Sequence, residues 1–200
     1  ILRRPWTGLG LLKQGISMAP RRVSRGKCQQ VRMENPDVTR LPIPTSWPQD
    51  GGPFMTLPLV VTSDPETGVH NLGMYRSQVF GPDEVGLHWQ KHKHGADHAE
   101  ASDDRMPVAI CLGGPPQVIF SAISPLPDNL SEYEFAGLLS GRRLKITKCL
   151  TNDLWVPADC DFVIEGYTVP SERRMEGPFG DHFGHYSLED EYPVCLLYTS

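Results

Sequence analysis

The residues best equipped for chemistry stand near the end of the chain, in Met175-Glu176-Gly177-Pro178-Phe179-Gly180-Asp181-His182. Two carboxylates lie five residues apart across a Gly-Pro-Phe-Gly turn, and such a turn can aim both into one pocket. Paired acids in unlike surroundings can keep one group ionised and the other protonated at neutral pH, which is what general acid–base work needs. Taken alone, a Glu-x4-Asp pair is more often two solvated loop charges.

Three further groups change that balance. Asn71-Leu72-Gly73-Met74-Tyr75-Arg76 reads as a strand, with Asn71, Gly73 and Tyr75 on one face and Leu72, Met74 and Arg76 on the other. A twist or bulge at Gly73 is needed to turn Asn71 and Arg76 toward one pocket; otherwise Arg76 is a rim charge on a half-exposed hairpin. His88, His92, His94 and His98 cluster, and the first two have i, i+4 spacing, but no Glu completes an HExxH pattern. Flanked by Leu87 and Trp89, His88 is the member expected to point somewhere specific. Ser131-Glu132-Tyr133-Glu134 is a capping box in which Glu134 satisfies the cap, leaving Glu132 available as an oxygen ligand. Asn, His and Glu together suit Mn²⁺ or Mg²⁺ better than zinc.

These residues need a scaffold. Residues 1–50 are rich in Gly, Pro and Arg, with a short helix near Leu9–Ile16 and a proline-punctuated linker. Phe54–Thr62 is an apolar strand, placed at a sheet edge by Pro58. Asp64–Gly68 is a turn and Val69–Phe80 the return strand, so 54–80 is a hairpin. Further strands are expected at Val85–Gln90, Pro107–Leu112, Arg143–Thr147 and Asp161–Val169, and helices after Pro116 and Ser131, the second ended by Gly141. The sum is an α+β domain with a mostly antiparallel sheet and flanking helices.

Charge is unevenly spread: residues 1–40 carry nine Lys/Arg against two Asp/Glu, and the other 160 carry ten against 22. Glycine and proline interrupt the basic arm and no nucleic-acid motif accompanies it, so it is expected to pack on the acidic remainder rather than bind nucleic acid. Five cysteines without CxxC spacing argue against a disulfide framework or zinc cluster and for a reducing cytoplasm. No apolar run is long enough for a transmembrane helix. Cys195–Ser200 read like the translation of a transposon end used in sequencing libraries, and are expected to be a non-native tail.

With these residues in place, the chain resembles the UbiD family of decarboxylases, which use prenylated FMN. The matching stretches are Arg25–Gln30, Asn71–Gln78, Leu87–His94, Ser131–Gly141, Asn152–Ala158 and Glu176–Tyr186, in the family's order. The resemblance implies a split β-barrel-like, FMN-binding central domain over 51–194, preceded by the tail of an N-terminal domain and a linker over 1–50. It implies that Asn71, His88 and Glu132 carry Mn²⁺, which with K⁺ clamps the cofactor phosphate. It also implies that Met74, Tyr75, Arg76, His88, Trp89, Gln90, Lys93 and His94 line the cofactor, and that Arg76, Glu176 and Asp181 form the catalytic trio. The expected activity is non-oxidative decarboxylation of an aromatic or α,β-unsaturated acid, in ubiquinone or menaquinone biosynthesis by the likeness of Glu176–Tyr186. A homo-oligomer, and peripheral membrane contact if the substrate is prenylated, go with that reading. The alternatives are a flavin-binding split barrel without decarboxylase activity and a metal hydrolase built on the histidines.

Overall fold

The computed structural model describes residues 5–89, 102, 105–127 and 130–199. Its centre is a six-stranded sheet in the order β4-β3-β7-β10-β13-β6, antiparallel throughout. The strands are β3 (Leu59–Ser63), β4 (His70–Met74), β6 (Glu84–Gly86), β7 (Met106–Leu112), β10 (Phe162–Glu176) and β13 (Asp190–Thr199). The sheet is open, with no closed barrel among the described residues.

Alternation along β3 and β7 builds two cores at once. Leu59, Val61, Ala109 and Cys111 face one apolar cluster, while Val60, Val108 and Ile110 face the other. Both strands are therefore apolar on both faces, as interior strands are. This corrects the edge position expected from Pro58. That proline sits between β2 (Phe54–Met55) and β3 and divides the apolar run, and β3 then pairs with β4 on one side and β7 on the other. The hairpin itself stands: Asp64 Oδ1 accepts from the amides of Glu66 and Thr67, Gly68 takes a left-handed φ of +69°, and β2 pairs with β5 (Ser77–Gln78).

Helices α2 (Pro116–Ser121) and α3 (Glu132–Ser140) cover the first core, with Val118, Tyr133 and Ala136 buried in it. The Ser131–Glu134 capping box forms as expected, and Gly141 ends α3 at φ +61°. Helix α1 (Pro5–Met18) packs on α3, where a Cβ at Gly137 would come within 2.1 Å of the Ser17 carbonyl oxygen.

The basic arm docks through β1 (Arg21–Val23), which runs parallel to β8 (Lys145–Lys148), itself antiparallel to β9 (Trp155–Pro157). Arg22 lies over the Trp155 ring at 4.5 Å, and Arg143 donates to the carbonyls of Ala19 and Pro20. Residues 195–199, of the stretch expected to be a non-native tail, form the second half of β13. Cys195 is fully buried and pairs with Thr168 of β10 and Val85 of β6. Among the described residues no helix is long and apolar enough to cross a membrane.

Candidate active site

Two segments a hundred residues apart meet at one carboxylate. Arg76 stands where the chain leaves β4 and before β5; Glu176 is the last residue of β10 and is fully buried. Arg76 Nε donates to Glu176 Oε1 at 2.9 Å, and His88 Nδ1 lies 2.8 Å from the same oxygen. Glu176 Oε2 is buried with no hydrogen-bond partner among the described residues. A buried acceptor left so is costly unless a ligand or water serves it. The Arg76 guanidinium also donates from Nη2 to Ser187 Oγ at 3.0 Å and lies over the Phe179 ring at 4.5 Å. Its side chain keeps 14% exposure, so it remains reachable by a ligand.

The turn after Glu176 is fastened on several sides. Gly177 N donates to Gln78 Oε1, Gly51 N to Pro178 O and Gly180 N to Asp50 Oδ1. Gly177–Pro178 is cis, and Gly177 has a φ of +104° that favours glycine. A Cβ at Gly51 would meet the Gly177 carbonyl oxygen at 1.9 Å, so that position requires glycine. Phe179, in β11 (Phe179–Gly180), packs against Phe54 with ring centroids 4.7 Å apart. Asp181 follows but bends back on its own turn: its Oδ1 accepts from Phe183 N at 2.8 Å and His185 N at 3.3 Å. The structure thus brings Arg76 and Glu176 into contact and fastens the Asp181 carboxylate to the adjacent loop.

A cavity of about 550 Å³ opens beside β4, within the usual size of small-molecule and cofactor sites. Asn71, Met74, Tyr75 and Glu132 all line it, with His70 and Asp64. The side-chain Nδ2 of Asn71 is buried without a partner. A half-turn of that amide brings its oxygen to the same place. Glu132 Oε2 accepts from Leu72 N at 3.3 Å at the capped start of α3. An amide and a carboxylate oxygen on one cavity wall fit a hard divalent cation such as Mn²⁺. Among the described residues no group of three His, Cys, Asp or Glu side chains is arranged to hold a metal. His70 is fixed as a neutral imidazole: Trp155 N donates to its Nε2, and its Nδ1 lies 3.1 Å from the Gly68 carbonyl. Burial, followed by the Arg22 charge, lowers its pKa against the opposing Gly68 hydrogen bond.

The expected metal set is therefore divided. Asn71 and Glu132 share the cavity, while His88 is not among its lining residues and is engaged with Glu176. Trp89, expected on the cofactor, is buried in the second core with Val85 and Leu87, its indole N–H without a partner. Gln90, Lys93 and His94, with the rest of the histidine cluster, lie outside the described residues.

Residues 21–197 match the family model described as UbiD: 3-octaprenyl-4-hydroxybenzoate carboxy-lyase Rift-related domain. The chain belongs to the UbiD family. It is 46% identical over 191 residues to an uncharacterized protein of Archaeoglobus fulgidus, covering 94% of this chain and 39% of that one. An evolved dimeric form of the UbiD-class enzyme HmfF from Pelotomaculum thermopropionicum, in complex with prFMN, superposes with a TM-score of 0.87 at 30% identity, over 94% of this chain and 47% of that one. The closed form of vanillic acid decarboxylase from Sedimentibacter hydroxybenzoicus does so with a TM-score of 0.87 at 32% identity, over 94% and 43%. The UbiD-family chain thus spans less than half the length of these relatives.

Sequence reasoning missed several residues that build the site. Gln78 lay inside the Asn71–Gln78 stretch, and its amide ties the Glu176 turn to Gly51 through bonds at both ends. Asp50 and Ser187 carried no signal, since each acts through a contact over more than a hundred residues.

Proposed function

We propose that this UbiD-family chain is the cofactor-cradling part of a carboxy-lyase that removes CO₂ from an aromatic or α,β-unsaturated acid with prenylated FMN. The observation that carries the reading is the buried Arg76–Glu176 pair, joined at 2.9 Å directly after two residues that line the cavity. Solved relatives support the cofactor, because the HmfF structure holds prFMN. Asn71 and Glu132 would hold Mn²⁺ through oxygen, with K⁺ as its companion, and Met74 and Tyr75 would wall the cofactor.

Loss of CO₂ from an sp² carbon leaves a localised carbanion, and the modified flavin, when bound, supplies the electron sink that no side chain offers. The rest falls to this chain. Arg76 holds the substrate carboxylate or fixes Glu176 by a charge-assisted bond. Glu176 Oε2, desolvated and without a partner among the described residues, would meet a donor of the bound ligand. Phe179 covers the Arg76 guanidinium and is itself backed by Phe54. Asp181 on the same turn would be the proton donor to carbon, acting through Oδ2 because Oδ1 is held by its turn.

The likeness of Glu176–Tyr186 to the quinone-biosynthesis branch points to a prenylated ring acid, and the whole protein is read as a homo-oligomer. The test is CO₂ release by the whole protein loaded with the modified flavin, on aromatic acids with and without a prenyl chain. Wild type turns over, while Glu176→Gln and Asp181→Asn each lower kcat by at least about 100-fold. A loaded wild type that releases no CO₂ from any of them overturns the proposal, and an active Asp181→Asn variant removes Asp181 as the proton donor.

A further inference from the structure

We infer that His88 is a positioning residue that, with Arg76, ties down one oxygen of Glu176 and so reserves the other, Oε2, for the bound ligand. The inference rests on the proposed decarboxylase reading and adds to it a residue with a defined task.

The geometry begins in the backbone. His88 N donates to the Arg76 carbonyl at 3.2 Å, so the two residues that reach Glu176 are tied to each other. Leu87 N donates to Pro193 O at 3.0 Å, which fastens the His88 segment to β13. Glu176 pairs with Asp190 on that same strand. The His88 ring lies against Tyr192 of β13, with centroids 4.2 Å apart and planes inclined by 38°, which sets the orientation of the imidazole.

The chemistry follows from donors and acceptors. The 2.8 Å contact pairs the His88 ring nitrogen Nδ1 with Oε1, where a ring N–H can donate to the carboxyl oxygen. Arg76 Nε approaches the same oxygen. One donor alone would leave the carboxylate free to swing about that contact. Two donors on separate segments hold it, and both spend themselves on Oε1. Among the described residues no group serves Oε2, although the side chain is fully buried. The arrangement divides the carboxylate into a fastened oxygen and a working one.

The test compares His88→Leu with His88→Asn in the whole protein loaded with the modified flavin. The two replacements are nearly the same shape, and only Asn keeps a donor near the Nδ1 position. His88→Leu is expected to lower kcat for CO₂ release by about 100-fold, the scale of a displaced reacting group, with KM changed little. His88→Asn is expected to recover to within about tenfold of wild type, with the same Tm as His88→Leu. Equal kcat in the two variants, whether high or low, overturns the inference. If the Leu variant fails to fold, His88→Phe keeps the ring against Tyr192 without the donor and takes its place. A crystal structure of the donorless variant gives a readout that does not depend on turnover: the Glu176 carboxylate should rotate away from its present position, and an unmoved carboxylate overturns the inference. A loaded wild type that releases no CO₂ is a failure of the decarboxylase reading instead, and leaves this structural readout to decide on His88.

Discussion

Replacing Arg76 by Leu tests the electrostatic logic of the site without reference to turnover. Glu176 is fully buried, and its Oε1 meets Arg76 Nε at 2.9 Å and His88 Nδ1 at 2.8 Å. Removing one partner of a buried ion pair costs about 3–5 kcal/mol, because the remaining charge is left in a poor solvent. His88 keeps one donor on Oε1, which places the expected loss near the lower end, about 3 kcal/mol. The contact of the guanidinium with Phe179 adds on the order of 0.5–1 kcal/mol. At about 2–4 °C per kcal/mol for a domain of this size, Tm should fall by roughly 7–16 °C. The second arm is Arg76→Leu combined with Glu176→Leu. Removing both charges relieves the desolvation cost, so the double variant should be more stable than Arg76→Leu alone, with a coupling of about 2 kcal/mol in the double-mutant cycle. Urea denaturation and calorimetry measure both quantities. A loss below about 1 kcal/mol for Arg76→Leu, together with an additive cycle, would show that the pair is solvated and would refute the reasoning.

Gly137→Ala should push α1 off α3, since its methyl would overlap the Ser17 carbonyl oxygen; an overpacking cost of about 1–3 kcal/mol and faster proteolysis of the first 20 residues are expected. Ser131→Ala removes the cap that accepts from Glu134 N, and should cost about 1 kcal/mol and weaken the proposed Mn²⁺ binding through Glu132, read by metal titration. The alkaline limb of stability should follow the thiols. Burial is the first cause that raises Cys28 to about 11 and Cys195 to about 12, each from 9.0, and it pushes Cys149 higher still. These groups stay protonated in the fold while the unfolded chain loses their protons. Stability they contribute is therefore full below pH 9.0 and declines as pH rises toward those raised values. Denaturation midpoints between about pH 8 and 11 check this, and Cys195→Ala should flatten the curve.

Local features were legible because local physics decides them. The Asp64–Gly68 turn, the Ser131 capping box and the left-handed Gly141 each follow from a side chain acting within a few residues of itself. Pro58 was misread for the complementary reason. A proline reports that one amide is missing, and whether the flanking strand is an edge depends on which other strand arrives; here β7 arrives from fifty residues further on. Asn71 and Glu132, expected as oxygen ligands, both line one cavity. His88 was legible only as a residue with a destination. Its tie to Arg76 and its ring contact with Tyr192 took it to Glu176 rather than to Asn71.

What the sequence determined by itself was the α+β class, the capped and turned local elements, and the family, all of which ordered residue types can carry. What only the tertiary structure decided was the state of Glu176. Its burial, its two donors on one oxygen and its unserved second oxygen arise where β10 ends against a segment from the other half of the chain. Desolvation and hydrogen-bond direction are properties of assembled space, and no spacing of residues along a chain encodes them.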